Sequence, residues 1–284
     1  MAGNNMGKIS YATVGFGDRD VEAALDAVAA AGFTQTEILG QQPHVITPPK
    51  GQALADFVKR LRSRGLAATV HAPLTRNVLG APEEQWRREK VTVLAGYLHF
   101  SAEIGSPEMV VHPVPNPIFV PEPDRPELPE LMQDAAQRSL DELVPVARGV
   151  HVRILLENLP YRCSYPLQNM QQLRALVDSY PPECVGLLID TGHAATAGKD
   201  PAEEIRIAGD RLHGTHLQDV DGEAPNDQHW IPTHGVLDWD SIRQALAKIN
   251  YRGPWTFEVV NGRNGESPEE LARLTRQLAS QWGL

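Results

Sequence analysis

The sequence has little to staple it and nothing long enough to carry it through a membrane. Its two cysteines, Cys163 and Cys184, form no CxxC pattern and are too few for a disulfide framework. Both are expected to be packing residues of a chain that works in a reducing compartment. No uninterrupted apolar run approaches the length of a bilayer span. The first residues, MAGNNMGK, hold no apolar stretch followed by a small-residue cleavage site. The expected location is the cytoplasm, with no membrane partner. Positive charge is also short: 26 Lys and Arg against 36 Asp and Glu give a formal net charge of -10, which argues against a broad basic surface for nucleic acid.

What is present is a repeating pattern. Apolar runs of strand length alternate with amphipathic, helix-length stretches from one end to the other, as when parallel strands are joined by crossover helices. Eight such units are found, with strands expected at 8–14, 34–40, 66–72, 108–113, 151–158, 185–191, 211–219 and 254–260. Barrels of this kind reach 284 residues as one domain, and no linker divides the chain. The expected architecture is a single (β/α)8 TIM barrel over residues 1–284. Asp20 and the Ser267–Pro268 pair read as helix N-caps, and Gly32 as a helix stop. Two connections exceed simple turns. Residues 113–129 are proline-dense and are expected to form a stiff excursion over the barrel mouth rather than helix or central strand. Residues 220–237 form the second. In a barrel, loops that follow strands build the active site.

The ends of the later strands carry the chemistry. His71, His112, Glu157, Asp190, His216 and Glu258 are each the last polar residue of a strand, from the third to the eighth. A closed barrel would set all six on one rim. His193 and the pair Asp227 and His229 lie just beyond strand ends. Glu157, Asp190, Asp227 and Glu258 would converge without a lysine or arginine among them, each close pair repelling by roughly 4 kcal/mol at 4 Å and an effective dielectric near 20. A cation is therefore expected. Imidazole and carboxylate without thiolate suit Zn, Mn, Fe or Co, and disfavour calcium. A lone strand-end His or Asp is more often a cap or a hydrogen-bonded core residue, but nine together are not. His44, His99, His151, His213 and His234 lack such partners and read as structural.

At these residues the sequence resembles the xylose isomerase-like barrel superfamily, which joins sugar isomerases and epimerases with the endonuclease IV type of apurinic-site nuclease. The motifs that carry the resemblance are VHAPLTRNVLG, VVHP, LLENLP, GLLIDTGHA, HLQD, DQHWIP and FEV. The nuclease branch implies three zinc ions on nine ligands. His71, His112 and Glu157 would hold one ion. Glu157 would bridge to a second on Asp190, His216 and Glu258, and His193, Asp227 and His229 would hold the third. The chain departs from that branch where Leu74 and Thr75 replace a Tyr-Leu pair, where Gly192 replaces a cysteine, and where Val220 and Asp221 replace Ser-Lys. The isomerase branch implies a single divalent ion on Glu157, Asp190, His216 and Glu258, with Glu157 and Glu258 as the catalytic pair that exchanges a proton beside a carbonyl. DQHWIPTHGVLDW is also similar to the Asp-x-His-x-x-Pro-Gly-x-Gly-x-x-Asp-Trp stretch of sugar-phosphate isomerase-like barrels, with Thr233 at the first glycine.

The expected function is therefore a metal-dependent isomerase or epimerase of a sugar or sugar phosphate, holding one to three divalent ions, Zn or Mn foremost. The alternative is an endonuclease IV-like phosphodiesterase acting at abasic DNA through a trinuclear zinc site. Nucleic acid is a partner only in that alternative. A sugar-binding protein without catalysis would leave nine ligand-type residues without a purpose. Arg19, Lys50, Arg76, Arg125, Arg162, Lys199 and Arg263 lie in the loops and are candidates to hold a phosphate, though each alone reads more simply as solvated surface.

Overall fold

The computed structural model describes residues 8–17, 19–41, 43–45, 47–74, 76, 78–223 and 225–284. Eight strands close into a barrel: β1 (Ile9–Ala12), β2 (Gln35–Leu39), β3 (Ala67–His71), β4 (Glu108–Val111), β5 (Arg153–Glu157), β6 (Val185–Asp190), β7 (Leu212–Leu217) and β8 (Trp255–Phe257). Each pairs in parallel with the next, and β8 returns to β1. Every strand falls inside a run expected from the sequence. The strands are buried almost throughout, because helices cover one face and the barrel interior closes the other. The helices are α1 (Val21–Ala30), α2 (Gly51–Ser63), α3 (Glu84–Ile104), α4 (Leu128–Val150), α5 (Met170–Val177), α6 (Thr191–Thr196), α7 (Pro201–Ala208), α8 (Trp239–Lys248) and α9 (Pro268–Gln281). Asp20 caps α1 by accepting from the Ala23 amide, and Ser267 caps α9 from Glu270. Among the described residues no helix is long and apolar enough to cross a membrane.

Strand register sorts the interior into layers, since residues two apart point the same way. Val110, Leu155 and Leu188 precede His112, Glu157 and Asp190 by two and pack together as an apolar cluster one layer down. Glu37 pairs with Thr69, two residues before His71, and so belongs to that same lower layer. Gly214 lies there too, because a Cβ would stand 2.8 Å from Leu188 and 3.0 Å from Leu155.

Two expectations change. The excursion after β4 ends earlier than 129: Leu128 and Pro129 form the first turn of α4, where proline costs no hydrogen bond, and Pro117–Phe119 make a short 3-10 turn. Cys184 is buried as expected, but Cys163 is exposed on the loop after β5, its sulfur 3.9 Å from the Gln168 amide nitrogen.

The loop after β7 is knotted around Asp219. Its carboxylate accepts from the amides of Val220, Thr233 and Leu237 and from the Trp239 indole, at 2.7–3.2 Å. Gly235 allows this approach, since a Cβ would meet the Asp219 carboxylate and the Val220 carbonyl at 2.2 Å. Thr233 is held at φ 76, a left-handed conformation that disfavours a β-branched residue and explains why glycine suits the position. Its side chain is exposed. Thr233→Gly is expected to raise the unfolding free energy by about 1 kcal/mol, read from denaturant melts; an unchanged or lowered value would show that Thr233 carries no strain.

Candidate functional site

All nine ligand-type residues named from the sequence meet at the carboxyl-terminal rim. Glu157 is the hub. One of its oxygens lies 3.1 Å from His71 Nε2 and 3.2 Å from His112 Nε2, the other 3.1 Å from His216 Nδ1 and 3.2 Å from His193 Nδ1. Glu258 Oε2 stands 3.0 Å from the same His216 Nδ1. Asp227 Oδ2 lies 3.2 Å from both His193 Nε2 and His229 Nε2.

Among the described residues, three sets have all their ligand atoms within 4.8 Å of one another: His71, Glu157 and His216; Glu157, Asp190, His216 and Glu258; and His193, Asp227 and His229. The last two are the groupings the resemblance implied. The first differs, with His216 in the place of His112, which touches Glu157 but joins no such set.

Backbone and amide contacts aim these groups. Asn158, next to Glu157, donates to the Asp190 carbonyl and accepts from the Asp190 amide, at 3.0 and 2.7 Å, tying the ends of β5 and β6 together. Asp190 caps α6 with Oδ1, which also takes a hydrogen bond from Gln218. Its Oδ2 is buried without a hydrogen bond, with His193 Nδ1 and His216 Nδ1 no nearer than 3.8 and 4.0 Å, an orphan that a cation would satisfy. Gln218 spans two sets, donating to Asp190 at 3.1 Å and to Asp227 at 2.9 Å. His229 sits at φ 52, bolted to the chain after β8 by its carbonyl, which accepts from Val260 at 2.9 Å and Asn261 at 3.3 Å.

The electrostatics fit a cation site. Burial pushes Asp190 up to about 7. Burial also opposes charge on Glu258, but His216 and His229 together hold the carboxyl down to about 2. Burial would lower His229, yet Asp227 raises it to about 9. His193 and His216 are likewise raised by their carboxylate neighbours against the effect of burial.

A cavity of about 390 Å³ opens above the cluster. Leu74, Phe119 and Tyr161 wall it with carbon, and Asn116 and Asn261 supply amides. Thr75 lies outside the described residues. No lysine or arginine lines the cavity among the described residues. Several of the loop bases named from the sequence are engaged elsewhere. Arg19 pairs with Glu269, and Arg76 lies over the Trp86 ring at 4.5 Å. Arg162 donates to the Thr196 carbonyl, and Arg263 to that of His234.

Sequence reasoning missed Glu37, Gln218 and Asp219. The available signal for Glu37 was a lone carboxylate inside the strand run QTEIL; for the other two it was the position of HLQD at the end of a strand. His44, His99, His151, His213 and His234 stay out of the cluster, and burial pushes His213 down to about 4.

The model of the family described as xylose isomerase-like TIM barrel matches residues 25–279. An uncharacterised protein of Sinorhizobium fredii is 31% identical over 181 residues, 63% of this chain and 55% of that protein. The D-psicose 3-epimerase of Enterocloster bolteae is 34% identical over 136 residues, 48% of this chain and 43% of its own length. The chain thus spans about half the length of these curated relatives. A solved D-tagatose 3-epimerase-like protein superposes with a TM-score of 0.79 at 21% identity, covering 98% of this chain and 100% of its own, which is a likeness of fold.

Gly192 tests the Gln218 contact. A Cβ there would lie 2.1 Å from the Gln218 amide. Gly192→Ala is expected to displace that amide, so its cost should shrink in a Gln218→Ala background, with a coupling of about 0.5–3 kcal/mol in a double-mutant cycle. Additive costs would mean that the two side chains do not compete.

Proposed function

The chain belongs to the xylose isomerase-like TIM barrel family, and from that premise we propose that it is a metal-dependent isomerase or epimerase of a small sugar. One observation carries this reading: carboxylates from two separate strand ends, Glu157 and Glu258, lie 3.1 and 3.0 Å from the same His216 nitrogen. Glu157, Asp190, His216 and Glu258 would hold a Zn or Mn ion, and the orphaned Asp190 oxygen supports that fit. When bound, the ion supplies polarisation of a carbonyl and of the hydroxyl beside it.

The chain's own residues do the rest. One glutamate takes the proton from the carbon next to the carbonyl, and the C–H electron pair enters an enediolate. Return of a proton by the other glutamate to the opposite face inverts that carbon, whereas return to the neighbouring carbon, with the hydroxyl proton passing to the former carbonyl oxygen, moves the carbonyl. Leu74, Phe119 and Tyr161 give the sugar an apolar wall to pack against, and Asn116 and Asn261 offer hydrogen bonds to sugar hydroxyls. The absence of lysine and arginine from the lining among the described residues supports an unphosphorylated sugar over a sugar phosphate.

An endonuclease IV-like phosphodiesterase is the second reading. The observation that favours it is the third set, His193, Asp227 and His229, which exchange of one proton does not need. The lining without bases weighs against it.

Incubation of Mn- or Zn-loaded protein with candidate ketoses in heavy water is expected to place deuterium on the carbon alpha to the carbonyl. Glu157→Gln and Glu258→Gln should each cut turnover at least about 100-fold, with metal content measured in the same samples. Nicking of a duplex with one abasic site, lost in Glu258→Gln, combined with no exchange in any ketose, would replace this reading with the second.

A further inference from the structure

Four imidazoles of the cluster have partners on both ring nitrogens, and one of the four differs from the rest. His71, His193 and His229 each set Nδ1 against a backbone carbonyl, of Ala72, Asn158 and Glu258 respectively, at 2.8, 3.0 and 3.1 Å. A carbonyl only accepts, so these nitrogens carry the proton and Nε2 is left to face Glu157 or Asp227. His216 is turned the other way. Its Nδ1 faces Glu157, Glu258 and Asp190, and its Nε2 lies 2.6 Å from Glu37 Oε1. The other Glu37 oxygen accepts from Thr69 at 3.4 Å. Both Glu37 and His216 are buried. Glu37 stands one layer below the rim, too deep to share the ligands' position and directly behind the ring.

We propose that Glu37 is a positioning residue of the metal centre, accepting a hydrogen bond from His216 Nε2 and so fixing the ring with Nδ1 presented to Glu157, Asp190 and Glu258. The inference rests on the metal-binding part of the proposed function, not on the identity of the sugar. A Glu37 oxygen 2.6 Å from Nε2 makes that nitrogen the donor, and the short contact fixes the rotation of the ring as well. A backbone carbonyl does this for the other three rings. At β7 the register sets the ring against the barrel interior, and the side chain of a neighbouring layer takes over.

Two measurements on the full chain test this. Long-range 15N–1H spectra of the Zn-loaded protein should show His216 protonated on Nε2 while His71, His193 and His229 are protonated on Nδ1. This needs no variant to fold. Competition with a chromophoric chelator for Co(II) should show affinity falling roughly 10- to 100-fold in Glu37→Leu, with the visible Co(II) band altered. Glu37→Gln, whose amide oxygen still accepts the same proton, should keep the wild-type band and most of the affinity. Nδ1 protonation of His216, or unchanged Co(II) affinity in Glu37→Leu, overturns the role of Glu37 alone. A wild-type chain that takes up no metal overturns the centre itself, and Glu37's role with it.

Discussion

Negative charge gathered in a buried space is the constraint on which the rest of this barrel depends. Glu157, Asp190 and Glu258 are almost wholly buried, and Asp227 closes over them. Each close pair opposes the others by roughly 4 kcal/mol at an effective dielectric near 20. The groups that offset this within the chain are imidazoles, which is why His193, His216 and His229 hold protons so firmly. Asp190 lacks a comparable partner on Oδ2, and burial leaves it titrating near neutrality, at about 7. The site is therefore one that protons or cations would balance, and its side-chain sets are close enough together that they could hold a metal ion.

Such a balance works only if the charges are held still. Much of the rim is fixed by groups that are not ligands: Asn158 clamps β5 to β6, Asp219 gathers the loop after β7, and the carbonyl of His229 is tied to the chain beyond β8. Below the rim, the layer is apolar beneath His112, Glu157 and Asp190 and polar beneath His71. One side of the barrel is thus packed for rigidity and the other for hydrogen bonding.

The sequence made the barrel legible because strand-length apolar runs recur with helical stretches between them, and burial on both strand faces leaves that pattern uninterrupted. Ligand-type residues were legible at the strand ends, where polar side chains interrupt those runs. Glu37 was hidden for the opposite reason: it sits two residues before the end of β2, and only the pairing with Thr69 and the contact with His216 reveal its neighbourhood. The engagement of Arg76 and Arg162 was equally invisible, because a base in a loop reads as free until its partner, here an aromatic face or a carbonyl, is known. Cys163 was misplaced because composition says nothing about which side of a loop faces solvent.

The shared space between Gly192 and Gln218 has a consequence for how such a site changes over generations. The amide at 218 occupies the volume that any side chain at 192 would need. Substitution at 192 pushes the far end of Gln218 aside and gives up its bridge between Asp190 and Asp227, and shortening of 218 gives up the same bridge while leaving room. The two positions are thus coupled through one shared volume. Among descendants of such a barrel, a side chain at 192 and the bridging amide at 218 are expected to exclude each other.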